Sequence, residues 1–355
     1  MEARPFDAAK AEAFRGRLRE LLNGAGLALL LSIGHRTGLF DVLRRMDPAP
    51  SEAIAEKAGL DARYVRAWLG AMAAGGIVVR DARTGSYQLP AEHAAALTRD
   101  ARPQNRAAAF QWIPVLAGVE DRIVECFERG GGVPRGCFGR LRAVLAEQGD
   151  QTVVAVLLEA VLPLVPGAPE ALERGSDVLD VGCGSGRALN RMAAAYRRSR
   201  FTGIDLSPAA VAAARTEACE LGLRNVRFEV RDVEALDARN AFDLVTAFGV
   251  VGELARPEAA LRAVARALRP EGALLVQDAA GAGDSDGGRE HPLAPFLQTL
   301  ACLHQTPLAP ADDAGGPGAG DRTLRALGAA GFARVECRRL PHDLVNEYRV
   351  ARKGP

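Results

Sequence analysis

The 355-residue chain carries almost no net charge: 45 Lys and Arg stand against 44 Asp and Glu, a formal +1. A protein that holds nucleic acid or an anionic surface by long-range attraction shows an excess of one sign, so this balance advertises no electrostatic partner. The chain also lacks an apolar run near the roughly eighteen residues that cross a bilayer; the stretch 27–31 is short and soon meets His35 and Arg36. Its first ten residues, MEARPFDAAK, are charged where a secretory signal has an apolar core. A cytoplasmic protein with no membrane partner is expected. Six cysteines, at 126, 137, 183, 219, 302 and 337, form no C-x-x-C pair and have no histidine at zinc-finger spacing. No metal site is expected.

What is present is a turn. Residues 178–186, VLDVGCGSG, run from an apolar strand into glycines and on to a helix over about 187–197. Val178, Leu179 and Val181 make the buried strand, and Asp180 is the charge near its carboxyl end. Gly182, Gly184 and Gly186 allow positive φ and let backbone approach a ligand with no Cβ between. The helix then presents its free N–H groups to whatever fills the turn. Dinucleotide enzymes space a similar turn G-x-G-x-x-G; here the third glycine comes one residue earlier, which disfavours a nicotinamide dehydrogenase.

The next strand, 201–204, ends in Asp205, nineteen residues beyond Gly186, where an acid can take both ribose hydroxyls. A third strand, 226–230, is followed by Asp232 and Val233, suited to an adenine amine and its ring face. Each aspartate alone reads as a solvated turn residue. Three in register at strand ends point to S-adenosylmethionine. Cys183, inside the turn, reads as a small residue in a crowded loop rather than a reactive thiol.

Residues 1–100 read as a winged helix for dimerisation and substrate enclosure. A helix over 27–46 places Leu29, Ile33, Leu39 and Leu43 on one face. Ser51 caps a short helix to Ala58, and Asp61 caps another through Met72 that Gly75 and Gly76 end. Strands at 77–79 and 87–89 then flank the turn 81–86. Such a fold can lay its third helix in a major groove. Yet residues 1–100 hold fourteen Lys and Arg against twelve Asp and Glu, and 61–74 offers only Arg63 and Arg66 among Tyr64, Val65, Trp68, Leu69 and Met72. Nucleic acid is not an expected partner.

Residues 101–172 read as a helical linker and lid, with helices over 110–128, 138–145 and 151–162, a Gly-rich break at 130–134 and a stop at Pro163. Such a segment can fold over a cofactor site and exclude water; Trp112, Phe127, Arg135 and Glu159 are its candidate pocket residues. From 173 to 355, strands at 177–181, 200–204, 226–230, 242–247 and 272–278 alternate with helices, and 333–340 and 345–352 close the chain. That pattern is an α/β doubly wound sheet with a terminal antiparallel hairpin. The Gly, Pro and Asp-rich stretch 280–320 reads as an insertion that lines the substrate pocket or is partly disordered.

On these residues the chain resembles class I S-adenosylmethionine-dependent methyltransferases, and among them the bacterial family with an N-terminal winged helix. The likeness runs over nearly the full length. It includes SIGHRTGLFDVL at 32–43, AGLDARYVRAWLGAM at 58–72, GGGVP at 130–134, DVLDVGCGSGRALN at 177–190, FTGIDLSP at 201–208 and VRFEVRDV at 226–233. It implies a Rossmann-like fold, S-adenosylmethionine as cofactor, a small-molecule substrate and a homodimer through the N-terminal domain. It further implies that Asp180, Gly182, Cys183 and Gly184 bind the methionine end, Asp205 and Leu206 the ribose and adenine, and Asp232 and Val233 the adenine. Phe248 is implied beside the sulfonium.

Two departures stand out. Many relatives carry an Asp and then a His-Asp pair after the fourth strand; here the residues are Phe248, Gly249, Val250, Val251, Gly252 and Glu253. Relatives commonly follow GGGVP with Tyr, and this chain has Arg135. Glu253, Arg135 and His304 become the catalytic candidates, with His35 and His291 as the other histidines considered. A thiolate, an enolate carbon, an acidic phenol or an amine would accept a methyl group without the missing base. The same departures leave two alternatives open: a cyclase or rearrangement catalyst that uses the cofactor otherwise, and a winged-helix DNA-binding regulator that senses it.

Overall fold

The structure, a computed structural model, describes residues 6–280, 291–308 and 319–354. It divides into two compact units, Met1–Ala117 and Gly118–Pro355. In the first, α1 (Ala8–Thr37) starts where the Asp7 carboxylate accepts the N–H groups of Ala9 and Lys10, and ends at Gly38 with φ 74°. There follow α2 (Leu39–Arg44), α3 (Ser51–Ala58), α4 (Ala62–Ala74), the wing strands β1 (Val79–Arg80) and β2 (Tyr87–Gln88), α5 (Ala91–Leu97) and α6 (Trp112–Ala117). Phe40, Ile54, Val65, Leu69 and Met72 form the core around Trp68, whose indole N–H donates to the Leu30 carbonyl at 2.9 Å.

Two sequence expectations change here. The helix expected over 27–46 begins at Ala8 and breaks at Gly38, and its buried face is Ala28, Leu31, Ser32, Gly34 and His35. Leu29 and Ile33, expected inside, are 42% and 44% exposed. The reason is close packing on small residues: a Cβ at Gly34 would lie 2.5 Å from the Trp68 ring and 2.8 Å from Phe40. A search for large apolar side chains looks past such a face. Ser51 does not cap α3; Pro50 holds the cap position, because Ala49 pairs with Tyr87 and fixes the chain one residue earlier. Asp61 does cap α4, accepting from Arg63 and Tyr64.

The second unit opens with α7 (Glu120–Arg129) and α8 (Leu141–Thr152), then 3-10 and π turns over residues 154–164, then α9 (Ala168–Arg174). The helix expected over 110–128 is interrupted between Ala117 and Glu120, and the one expected over 151–162 is not α-helical. Val153, Val154 and Val156, each β-branched, and Pro163, which lacks an N–H, disfavour a regular α-helix there. Among the described residues no single helix is long and apolar enough to cross a membrane. Leu141–Leu164 and Ala168–Arg174 together have the composition, but they meet at 103°. Their residues Leu157, Val161, Leu162 and Leu172 are buried on the sheet.

The sheet follows: β3 (Asp177–Val181), α10 (Arg187–Ala195), β4 (Arg200–Asp205), α11 (Pro208–Glu220), β5 (Val226–Val230), β6 (Phe242–Phe248), α12 (Pro257–Ala267) and β7 (Leu268–Ala279). After β7 come α13 (Ala294–Leu300), α14 (Thr306–Leu308), α15 (Ala319–Ala329), β8 (Phe332–Arg338) and β9 (Asn346–Lys353). The expectation for 280–320 thus meets helices where the chain is described, and at 281–290 and 309–318 it lies outside the described residues. Strand order is β5-β4-β3-β6-β7-β9-β8, with β9 antiparallel to both neighbours.

Parallel strands are covered on both faces and so read as apolar runs. Leu179, Val245, Leu274 and Val276 meet α12 and α15 on one face; Val178, Phe201 and Leu275 meet α10 and α11 on the other. The chain winds outward in opposite directions from β3 and from β6. Their carboxyl ends therefore part and leave a crevice, where folds of this kind place their ligands.

Candidate functional site

The glycine turn is built from three glycines with φ of 67°, 53° and 76° at 182, 184 and 186. They serve different ends. A Cβ at Gly182 would lie 2.5 Å from Val250, and one at Gly186 would lie 2.7 Å from Ala214 and Phe228; at Gly184 it would meet nothing within 4 Å. The outer two are packed, and the middle one faces open space. Gly182 and Cys183 both donate their N–H to the Ile204 carbonyl, at 2.8 and 3.0 Å.

Asp205 clasps this turn to the next one. Its Oδ2 accepts from Gly184 N–H at 3.0 Å, and its Oδ1 from Ser207 N–H at 2.8 Å. Each oxygen keeps a further lone pair for a ribose hydroxyl. Asp180 is buried, and the Thr246 hydroxyl donates to its Oδ1 at 2.6 Å. Burial, and then the charge of Asp205, push its pKa up to about 7 against that hydrogen bond. Asp180 and Asp205 thus stand close enough that the charge of one raises the pKa of the other. A nucleoside with a sulfonium and an ammonium group supplies positive charge, and the open backbone at Gly184 leaves room for it. These residues fit S-adenosylmethionine.

The other cofactor candidates lie as follows. Burial and the two aspartates push the Cys183 thiol far up, so it stays protonated, and its Sγ stands 2.9 Å from where a Cβ on Gly203 would be. Asp232 is exposed and accepts the Glu234 N–H at 2.9 Å, starting the 3-10 turn Val233–Ala235. Val233 is buried and Leu206 exposed, and Phe248 stands half-buried at the end of β6.

Glu253, Arg135 and His304, far apart in sequence, come together. Glu253 ends the 3-10 turn after β6, and Arg135 begins the turn after GGGVP. His304 lies in the π turn Ala301–Gln305 after α13. Arg135 Nη1 is 3.6 Å from Glu253 Oε2, and His304 Nε2 is 3.6 Å from Glu253 Oε1. The glycines make this possible. Val133 N–H donates to the Pro307 carbonyl at 3.1 Å, and a Cβ at Gly132 would strike that same oxygen. Phe138 meets the His304 ring edge-on at 5.2 Å. Burial raises the Glu253 carboxyl, opposed by Arg135 and Arg322. Burial, and then Arg135, bring His304 down to about 4, so its imidazole is neutral near pH 7.

Sequence reasoning passed over Asp278, at the carboxyl end of β7. Its Oδ2 accepts from Gly252 N–H at 2.7 Å and from the Thr323 hydroxyl at 3.0 Å, which pins the turn carrying Glu253. Burial raises this carboxyl, while the buried Arg349 guanidinium opposes the shift. The rule that found Asp180, Asp205 and Asp232, an acid where a parallel strand ends, would have found it too. The other proposed pocket residues lie as follows. Phe127 is exposed, Glu159 pairs with Arg191 at 3.2 Å, and Trp112 is buried in the first unit. His35 also belongs to the first unit, and His291 accepts the Leu293 N–H.

Among the described residues no cluster of His, Cys, Asp and Glu could hold a metal ion. Two cavities, of about 460 and 420 Å³, open near Asp177, Arg200 and Arg269 at the amino ends of the strands. Neither includes a residue of the crevice. Their hollows lie at the wrong edge of a parallel sheet for a nucleotide.

Comparison with known proteins bears on each unit. Residues 25–99 match the Rv2258c-like winged HTH domain, and residues 172–302 match a family described as a methyltransferase domain. Human N-acetylserotonin methyltransferase, solved in complex with SAM, superposes with a TM-score of 0.70 at 18% identity, covering 100% of both chains. The mitomycin 7-O-methyltransferase MmcR does so at 0.69 and 18%, covering 98% of this chain and 100% of its own. At such identities the likeness establishes the fold. Ubiquinone biosynthesis O-methyltransferase of Xanthomonas axonopodis pv. citri is 39% identical over 104 residues, 29% of this chain and 42% of its own length. The chain thus spans less than half of that curated relative.

By fold the second unit is that of the class I methyltransferases, and residues 172–302 belong to a methyltransferase domain family. That domain follows an N-terminal winged helix-turn-helix domain.

Proposed function

We propose that this protein methylates an acidic hydroxyl on a small molecule. The observation that carries the reading is the buried Asp180 carboxylate beside Asp205, a pair of acids that calls for a cationic nucleoside. When bound, S-adenosylmethionine supplies an electrophilic methyl carbon. Asp180 and the turn Gly182, Cys183 and Gly184 hold the methionine end, Asp205 with Leu206 the ribose and adenine, and Asp232 with Val233 the adenine; Phe248 flanks the sulfur. Alignment of the two reactants provides roughly 7–11 kcal/mol, and a base a further ~10²–10⁴-fold. Neutral His304, its Nε2 turned to Glu253, accepts the hydroxyl proton. Glu253 then stabilises the imidazolium, and Arg135 keeps Glu253 ionised.

The protein acts as a cytoplasmic homodimer joined through the winged-helix domain, and part of 101–172 serves as the lid over the crevice. In support of the dimer, Phe14, Leu18, Leu21, Leu22 and Leu29 follow one side of α1 and are exposed. Against a nucleic-acid partner, Arg66 of α4 is paired with Glu52, and Arg63 lies over the Tyr64 ring at 5.0 Å. The comparisons bring no support for the cyclase or the cofactor-sensing reading. Incubation with methyl-labelled S-adenosylmethionine and a panel of phenols should yield S-adenosylhomocysteine and a labelled product. Methylthioadenosine in its place would overturn methyl transfer.

A further inference from the structure

Helix α8 ends in three buried polar residues, Asp150, Gln151 and Thr152. The outer two are anchored to different elements, Asp150 to α10 and Thr152 to β9 and the turn before it. The Asp150 carboxylate takes the guanidinium of Arg187, the first residue of α10 beyond the glycine turn. The Thr152 carbonyl accepts from His342 Nε2 at 2.8 Å and from the Tyr348 hydroxyl at 3.3 Å. Tyr348 pairs in register with Gln277 near the carboxyl end of β7, and Gln277 pairs with Phe248 of β6. The end of α8 therefore spans from the mouth of the glycine turn to β7 and β9. Between those anchors the strand order sets β3 and β6, which carry Asp180 and Phe248 toward their carboxyl ends.

Gln151 lies between the two anchors. It is 2% exposed, and among the described residues its Oε1 has no hydrogen-bond partner. A buried amide oxygen without a donor costs free energy, and folded proteins rarely leave one so. A ligand bearing N–H donors would satisfy it. The anchors on either side hold the residue in place, so the unmet acceptor is part of a rigid edge.

Resting on the reading of the crevice as an S-adenosylmethionine site, we propose that the Gln151 carboxamide receives the α-ammonium group of the methionine moiety, sharing it with Asp180. Gln151 then tells the full cofactor from nucleosides without the amino acid. Calorimetric titration of the whole protein with S-adenosylmethionine, S-adenosylhomocysteine and 5′-methylthioadenosine tests this. Gln151→Leu and the closer isostere Gln151→Met should weaken the first two about tenfold and leave methylthioadenosine within about twofold, at an unchanged melting temperature. Unchanged affinity for the amino-acid-bearing ligands in both variants overturns the proposal, as does an equal loss for all three. Wild-type protein that binds none of them overturns the cofactor reading itself, and this proposal with it.

Discussion

At Asp180, binding and stability make opposite demands. Its carboxyl rises from an ordinary 3.8 to about 7, so between those values the folded chain holds a proton that the unfolded chain has released. Stability of the ligand-free protein therefore falls as pH rises through that window and levels off above it. Cofactor affinity runs the other way, because a cation favours the ionised form: calorimetry should show it rising about tenfold between about pH 6 and 8, then flattening. Asp180→Asn should raise the ligand-free melting temperature at pH 8 and weaken the cofactor at least about tenfold. A lower melting temperature with full affinity would contradict both halves. Gly182 makes a steric demand instead. Gly182→Ala must hold a Cβ at positive φ against Val250, at about 1–3 kcal/mol in urea unfolding. Val250→Ala should recover the contact part of that loss and not the backbone part.

At the scale of elements, the short turn Val251–Glu253 has no side-chain cap of its own. It is held from β7 and α15, through Asp278 and Thr323. Asp278→Ala should therefore lower kcat about tenfold or more with the KM for S-adenosylmethionine unchanged. Its pH–rate profile should show the acidic limb moving up from about 4 toward the ordinary histidine value of 6.5, as the turn loosens and water reaches His304. Asp278→Asn keeps an acceptor for Gly252 and should behave closer to wild type. A fall in cofactor affinity with kcat unchanged would show that Asp278 serves the crevice and not the Glu253 turn.

For the whole molecule, the exposed side of α1 is the surface that asks for a partner. Leu18 and Leu22 stand on it and are absent from the core of their unit. Replacing both by Asp should halve the mass seen by light scattering while leaving the circular dichroism intact. A wild type that is already monomeric would end the dimer reading. The winged helix was legible in outline, from the Asp61 cap and the two glycines that end α4. Its packed face was not, because Gly34 and Ala28 carry no hydrophobic signal by themselves. The parallel strands were legible nearly to the residue: burial on both faces makes β3 and β6 largely apolar, and the edge strand β5, VRFEV, shows instead by alternation.

By itself the sequence determined whatever depends on neighbours along the chain: strand, glycine turn, helix start and the aspartates that end β3, β4 and β5. Local backbone geometry dictates those residue types, so they show before any folding is known. Only the tertiary structure decided that Arg135, Glu253 and His304 share a site, that Asp278 holds it, and that Gln151 is buried with no donor among the described residues. Each of those depends on which strand lies beside which and on a glycine run slim enough to pass Pro307, and contacts between distant segments leave no spacing to read.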